Sequence, residues 1–101
     1  MKMYIAIHTD VPLGFALVAA AHASLATYLR FRDDHDMQEW LAGPFRKVIV
    51  RVNDAEFTAI KELSENVVLT ESALEGREVA IGLKPRKEWP DWLRKLPLYK
   101  N

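Results

Sequence analysis

Residues 2–31 have the sequence KMYIAIHTDVPLGFALVAAAHASLATYLRF, and this stretch decides the fold class. Its first part, Lys2–Thr9, is rich in β-branched and aromatic side chains and predicts a strand. Pro12 and Gly14 then interrupt the pattern and predict a turn. Phe15–Phe31 contains six alanines, the best helix former, and predicts a long helix. A strand followed directly by a helix is typical of α/β domains.

Two features of the long helix predict how it packs. Apolar residues recur with helical spacing at Val18, Ala21, Leu25 and Tyr28, which predicts that this stripe faces the core. The many alanines also keep the helix thin, so we expect its backbone to lie close against a sheet.

The remainder of the chain continues to alternate between strand and helix patterns. The predicted strands are Lys47–Val52, Val67–Leu69 and Glu78–Leu83. The predicted helices are a short one that ends at Leu41, and a third helix with Phe57, Ile60 and Leu63 facing the core. A tail helix is predicted to carry Trp89, Trp92, Leu93 and Leu96. Asp36 and Asp54 are the predicted N-caps of the second and third helices. The sequence therefore predicts one domain, residues 1–101, with a three-layer α/β/α architecture and a small four-stranded mixed sheet.

Composition restricts the class of protein further. The chain has 101 residues, half of them hydrophobic and 28% charged, which is typical of one globular domain. It has no cysteine, which excludes disulfides, thiolate metal sites and a cysteine nucleophile. The longest apolar run, Val11–Ala21, falls short of the ~20 residues that cross a bilayer. With no export signal in view, we expect a cytoplasmic protein that does not enter a membrane.

Charge is unevenly distributed although the formal net charge is zero. Acidic residues predominate from residue 53 to 78, and basic residues predominate from residue 84 to the end. One interpretation is two solvated faces of opposite sign, and the other is a basic rim that binds phosphates.

Three polar residues are candidates for acid–base chemistry. His22 is either a histidine at the edge of the core or a general base, since imidazole exchanges protons near neutral pH. Asp10 follows the first strand, where sites gather in open α/β sheets, but it also suits a cap or turn. Glu71 follows the third strand and either orients a histidine or water, or is a solvated turn carboxylate.

The sequence predicts no metal site and no cofactor. His8 and His35 lack partners at metal-binding spacing, and there is no glycine loop that would cradle a phosphate. Gly14 precedes the long helix, whose N-terminus favours an anion. Trp89 and Trp92 suit either stacking on bases or the core.

Several motifs together resemble those of type 2 peptidyl-tRNA hydrolases. They are a hydrophobic strand ending in aspartate (Tyr4–Asp10), a turn at Pro12–Gly14, an alanine-rich helix carrying a histidine (Ala16–His22), a strand with lysine and valine (Arg46–Val50), a last strand with glycine (Val79–Gly82) and the ending Leu96–Tyr99. The resemblance covers nearly the whole chain.

The resemblance implies hydrolysis of the ester between a peptide and tRNA by an attacking water. On that basis the catalytic residues are His22, Asp10 and Glu71. The substrate-binding residues are expected to be Gly14, Ser72, Lys84 and Arg86. The partner would be peptidyl-tRNA, and a homodimer is left open.

Departures from the family pattern support a second hypothesis. Phe15 stands where the family has a lysine, Ala19 where it has a glutamine, and Glu71 where it has an aspartate. The alternative is a catalytically inactive scaffold that binds a small molecule or a protein, and a third possibility is an enzyme acting on another ester or amide.

Overall fold

The computed structural model describes residues 1–100, in which strands and helices alternate as predicted. In chain order the elements are β1 (Met3–His8), α1 (Leu13–Phe31), α2 (His35–Ala42), β2 (Lys47–Val52), α3 (Asp54–Lys61), β3 (Asn66–Glu71), β4 (Arg77–Leu83) and α4 (Asp91–Arg94), with a 3-10 turn at Ser72–Leu74.

The strands form one mixed sheet in the order β2-β1-β4-β3. β1 is parallel to β2, and β4 is antiparallel to both β1 and β3. The carboxyl ends of β1, β2 and β3 therefore lie beside the start of β4, at what we call the carboxyl end of the sheet. The opposite end, where β1 starts and β4 finishes, is called the amino end.

Helices cover both faces of the sheet, so the structure is a three-layer α/β/α domain. Side chains alternate along β1. Met3, Ile5 and Ile7 pack in the cluster with α1 and α2, whereas Tyr4 and Ala6 pack in the cluster with α3 and α4. All six residues of β1 are buried because both faces are covered.

α1 approaches the sheet closely where it passes over Gly82 of β4. A Cβ atom at Gly82 would lie 1.9 Å from Thr27 Oγ1 and 3.0 Å from the backbone oxygen of Ala23. The buried face of α1 consists of Ala16, Ala19, Ala23 and Thr27. The predicted close contact between an alanine-rich helix and a sheet is confirmed.

The prediction that Val18, Ala21 and Leu25 face the core is wrong. These three residues lie on the solvent side of α1, and Tyr28 is half-buried. The helix has a small-residue face and a large-residue face, and the small side chains of the first allow closer contact with the strands. Periodicity identified an apolar stripe but did not distinguish between these two faces.

The helix caps also differ from the predicted ones. α2 begins after Asp34, whose carboxylate accepts hydrogen bonds from two backbone N–H groups, including that of Asp36 at 2.9 Å. α3 begins after Asn53, which forms a reciprocal capping box with Glu56. Asp36 and Asp54, the predicted caps, both lie inside the first turns of their helices.

The C-terminal segment covers the outer edge of β2. The N–H of Arg51 donates to the Pro97 carbonyl at 3.1 Å, and the N–H of Tyr99 donates to the Ile49 carbonyl at 2.8 Å. In α4, Leu93 is fully buried and anchors the segment against the sheet. These bonds satisfy backbone groups that would otherwise form an open strand edge.

Candidate functional site

A cluster of polar side chains lies at the carboxyl end of the sheet. His8 is the last residue of β1, Asp10 follows it, Asp54 begins α3, and Arg77 begins β4. The topology brings them together, because β4 starts where β1 and β2 finish. These four residues are called the carboxyl-end cluster.

His8 is buried at the centre of this cluster and is bonded through both ring nitrogens. Its Nε2 contacts Asp54 Oδ1. Its Nδ1 accepts a hydrogen bond from the N–H of Asp10 at 3.1 Å and lies 3.1 Å from an Arg77 guanidinium nitrogen. The two groups within hydrogen-bonding distance of Nδ1 are donors, and a carboxylate oxygen of Asp10 lies farther away at 3.9 Å. The tautomer that carries its proton on Nε2 and donates it to Asp54 satisfies these contacts.

In this arrangement the His8 side chain links neighbouring elements through hydrogen bonds, and it does not suit the role of a general base. A base needs a free lone pair within reach of the proton that it removes. The Nδ1 lone pair of His8 is already shared by the N–H of Asp10 and by Arg77. The ring therefore ties the end of β1 to the starts of α3 and β4.

A cleft of about 370 Å³ lies beside the cluster. His8, Asp54, Lys61, Arg77 and Glu78 contribute its charged and titratable groups. Lys61 Nζ lies 2.8 Å from Glu78 Oε1, and the Arg77 guanidinium lies 3.4 Å from a carboxylate oxygen of Asp10 outside the cleft. The charges of the cleft are thus largely compensated by one another, and it presents no single-sign field to a ligand.

Two of the three predicted catalytic residues lie at the carboxyl end of the sheet. Asp10 belongs to the carboxyl-end cluster, and Glu71 lies at the same end of the sheet, opposite Arg77 in the β3–β4 register. The Glu71 carboxylate accepts a hydrogen bond from the N–H of Ala73 at 3.1 Å.

His22 does not join them. It is exposed on the solvent side of α1, nine residues and so about 13 Å along the helix axis from Leu13. No hydrogen bond or ion pair within residues 1–100 involves its ring. The imidazole at the carboxyl end belongs to His8, which no motif in the sequence marked as a catalytic candidate.

The predicted substrate-binding residues lie at opposite ends of the sheet. Gly14, in the first turn of α1, and Ser72, in the 3-10 turn, are exposed near the carboxyl end. Lys84 and Arg86 follow β4 and lie at the amino end, where Lys2 bridges to Arg86. The six residues of β1 separate the two ends by roughly 17 Å, so these basic side chains do not face Asp10 and Glu71.

Lys84 is a buried structural cation. Its Nζ lies 3.0 Å from Asp34 Oδ2, 3.1 Å from Glu65 Oε2 and 4.0 Å from Asp36 Oδ2. Burial opposes its charge, but hydrogen bonds to Asp34 and Glu65 outweigh that effect and raise the pKa of Lys84. The hydrogen bond from Lys84 in turn holds the pKa of Asp34 below its ordinary value, against the opposing effect of burial. Its charge is compensated within the fold, which leaves it unsuited to binding phosphate.

Sequence reasoning missed His8 and Arg77. A histidine within an apolar strand, two residues before an aspartate, was a usable signal, because a buried imidazole requires polar partners. No comparable signal marked Arg77, which reaches His8 only through the antiparallel pairing of β4 with β1. Within residues 1–100, no group of three or more histidine or acidic side chains could hold a metal ion.

The outer face of α1 carries several exposed large apolar side chains. Large side chains between 45 and 65% exposed are found at Leu13, Leu17, Val18, Leu25 and Leu29. No charged residue occurs from Val11 to Leu29. By length and composition alone α1 could also cross a membrane, a test that a core helix passes as well.

No protein-family model and no curated protein matches this chain. Its class is therefore defined by the fold and surface: a small α/β domain with a self-compensated polar cluster and a helix, α1, that has no charged residue from Leu13 to Leu29. The likeness to type 2 peptidyl-tRNA hydrolases remains a prediction from sequence motifs.

Proposed function

We propose that this chain is a self-associating binding domain without hydrolase activity, and that a second copy covers the outer face of α1. The observation that carries the proposal is the row of half-exposed leucine and valine side chains on a helix face without charge. The solvent face of a surface helix normally carries charged and polar residues. The largest apolar patch on a small protein is often an interaction surface, and the absence of charge favours that interpretation here.

The spacing of the outer face suits a second helix. Gly14, Val18, Ala21 and Leu25 follow one another at steps of four, three and four residues, which is the pattern of a helix-pairing seam. Gly14 and Ala21 are small enough for two backbones to approach closely. An antiparallel pair centred near Ala21 would place Val18 of each copy against Leu25 of the other.

The helix dipoles favour this antiparallel pairing, because they oppose each other when two copies of α1 lie side by side in opposite directions. The side-chain charges at the ends of α1 do not decide the direction. Asp10 is paired with Arg77 within its own copy, and Arg30 and Arg32 are followed by Asp33 at the other end of the helix.

The size of the face indicates a weak dimer. α1 has 19 residues and is about 28 Å long and about 10 Å wide, so it offers roughly 300 Å² per copy. The apolar groove beside Leu17, lined also by Ile49 and Tyr99, extends this area. The total remains below the ~800 Å² per partner of standard interfaces, so we expect a dissociation constant in the micromolar range.

Leu25→Glu tests the proposal. We expect sedimentation equilibrium to show a wild-type dimer with a micromolar dissociation constant, weakened about 100-fold in the variant, because a charge would be buried at the seam. Glutamate preserves helix propensity, so far-ultraviolet circular dichroism should be unchanged.

Leu98→Glu is the matched control, since Leu98 is equally exposed but lies on the C-terminal segment. It should leave the dimer intact. A wild-type protein that stays monomeric at 500 µM, or equal weakening by both variants, would overturn the proposal.

Peptidyl-tRNA hydrolysis is a second candidate, favoured by one observation. Asp10, Glu71 and the partly exposed Arg77 share the carboxyl end of the sheet, where a cation could stabilise an oxyanion. Against it stand the remote position of His22 and the zero net charge, since tRNA binding depends on phosphate neutralisation.

Release of N-acetyl-amino acid from charged tRNA separates the two candidates. We expect the wild-type rate to equal that of His22→Ala and Asp10→Asn and to match the uncatalysed background, because the imidazole beside Asp10 is that of His8, whose Nδ1 already faces two donors. A wild-type rate well above background that is lost in Asp10→Asn would establish the hydrolase instead.

A further inference from the structure

A cavity of about 450 Å³ opens at the amino end of the sheet, between the start of β1 and the segment that follows β4. It is lined by the basic side chains of Lys2, Arg86, Lys87 and Arg94. Two carboxylates, Glu88 and Asp91, also line it, and that of Asp91 is paired with Arg94. The cavity thus carries a formal excess of two positive charges in a chain whose net charge is zero.

Hydrogen-bond donors around this cavity lack acceptors. Tyr4 is only 4% exposed and lines the cavity, and its hydroxyl bonds to no other group in residues 1–100. Trp89 Nε1 and Arg86 Nε also have no partner, but both atoms are shielded from solvent and therefore do not face the cavity. The ammonium groups of Lys2 and Lys87, like the Tyr4 hydroxyl, form no hydrogen bond or ion pair within residues 1–100, so the donors that line the cavity suit a ligand rich in acceptors.

Trp89 supplies a rigid wall. The Arg86 guanidinium lies 4.7 Å above its ring, and the Tyr4 ring packs edge-on against it at 4.8 Å. Arg86 also donates to the Ser64 carbonyl at 2.8 Å, so its guanidinium is held in place. A preordered cation loses little side-chain entropy when it binds an anion.

We propose that this cavity binds a small molecule carrying a phosphate group. A phosphate offers several strong acceptor oxygens and negative charge, which matches a donor-rich basic lining. A volume of about 450 Å³ falls within the range of small-molecule pockets. The site lies at the opposite end of the sheet from the carboxyl-end cluster and does not depend on the α1 dimer.

Titration with adenosine monophosphate, adenosine and inorganic phosphate at low salt tests the proposal, with tryptophan fluorescence as the readout and calorimetry as the check. We expect adenosine monophosphate to bind at least tenfold more tightly than adenosine, because the phosphate supplies the charge-assisted bonds. Binding of inorganic phosphate shows that the anion alone suffices, and this supports the proposal as well.

Three variants locate the site. Lys87→Gln changes an exposed side chain, so the protein should fold normally and bind adenosine monophosphate about tenfold more weakly. Tyr4→Phe removes the unpaired hydroxyl without changing the packing and should weaken binding about threefold. Lys61→Gln removes a cation at the carboxyl end of the sheet and should leave the affinity for adenosine monophosphate unchanged.

Two results would overturn the proposal. One is the absence of binding by any of the three probes up to 10 mM. The other is equal weakening by Lys61→Gln and Lys87→Gln, which would indicate a nonspecific charge effect.

Discussion

Replacing Lys84 with methionine is expected to lower the free energy of unfolding by about 3 kcal/mol at pH 7. The substitution keeps the apolar stem but removes the cation shared by Asp34, Glu65 and Asp36. Removing one partner of a buried ion cluster is costly because the remaining charges lose their compensation. The three carboxylates are partly exposed, which places the expected loss at the lower end of the range for buried pairs.

Lys61→Met is the matched control for this prediction. Lys61 also pairs with a carboxylate, Glu78 at 2.8 Å, but both side chains are exposed. Exposed ion pairs contribute about 1 kcal/mol or less. Urea unfolding followed by tryptophan fluorescence measures both variants, and equally small losses would contradict a stabilising role for the buried lysine.

The free energy of unfolding that Lys84→Met loses relative to wild type should also depend on pH. The pKa of Asp34 in the folded protein lies below its ordinary value, chiefly because Lys84 donates to it. A carboxyl group of this kind stabilises the fold above its unfolded pKa of about 4, and this contribution disappears as the pH falls through the lower folded value. The difference between wild type and Lys84→Met should therefore shrink from pH 5 to pH 3. A difference that grows in this window would contradict the assignment.

Gly82→Ala is the second substitution with a large expected effect, and it should lower the free energy of unfolding by about 3 kcal/mol. The added methyl group would lie 1.9 Å from Thr27 Oγ1 and 3.0 Å from the Ala23 carbonyl oxygen. Thr27 is fully buried, so its hydroxyl has little room to move, and the Ala23 oxygen belongs to the helix backbone. Relief requires α1 to move away from the sheet.

A double-mutant cycle with Thr27→Ala identifies the cause. The Thr27 hydroxyl is buried without a partner, so its removal alone should cost little. It should recover about 1–2 kcal/mol in the Gly82→Ala background, with incomplete rescue because the Ala23 oxygen remains. Gly43→Ala is the control, since its Cβ would meet no atom closer than 3.8 Å. Strict additivity in the cycle would exclude the proposed clash.

The order and type of the elements could be predicted because they depend on local patterns. The alternation along β1 and the alanine content of α1 predicted a strand and a helix with nearly the observed bounds. The boundaries shifted by a residue or two where competing caps were adjacent, as with Asn53 beside Asp54. Asn53 prevails because Glu56 completes its capping box.

The candidate site was much less predictable. Asp10 and Glu71 follow strands, and their position at the carboxyl end of the sheet follows from the topology. The sequence did not reveal that the imidazole near them is His8, because His22 has the more suggestive motif. Nor did it reveal that Lys84 is neutralised by Asp34 and Glu65, which come from distant parts of the chain.

The fold class follows from the amino-acid sequence, because the periods of strand and helix and the positions of proline and glycine are local properties. The contact face of α1 and the pairing of charges between distant segments are set only when the chain is folded. Those outcomes depend on close packing and on distances between segments far apart in the chain, which periodicity does not encode. The same packing that buries Ala16, Ala19 and Ala23 of α1 leaves its leucines in solvent, where a second copy can cover them.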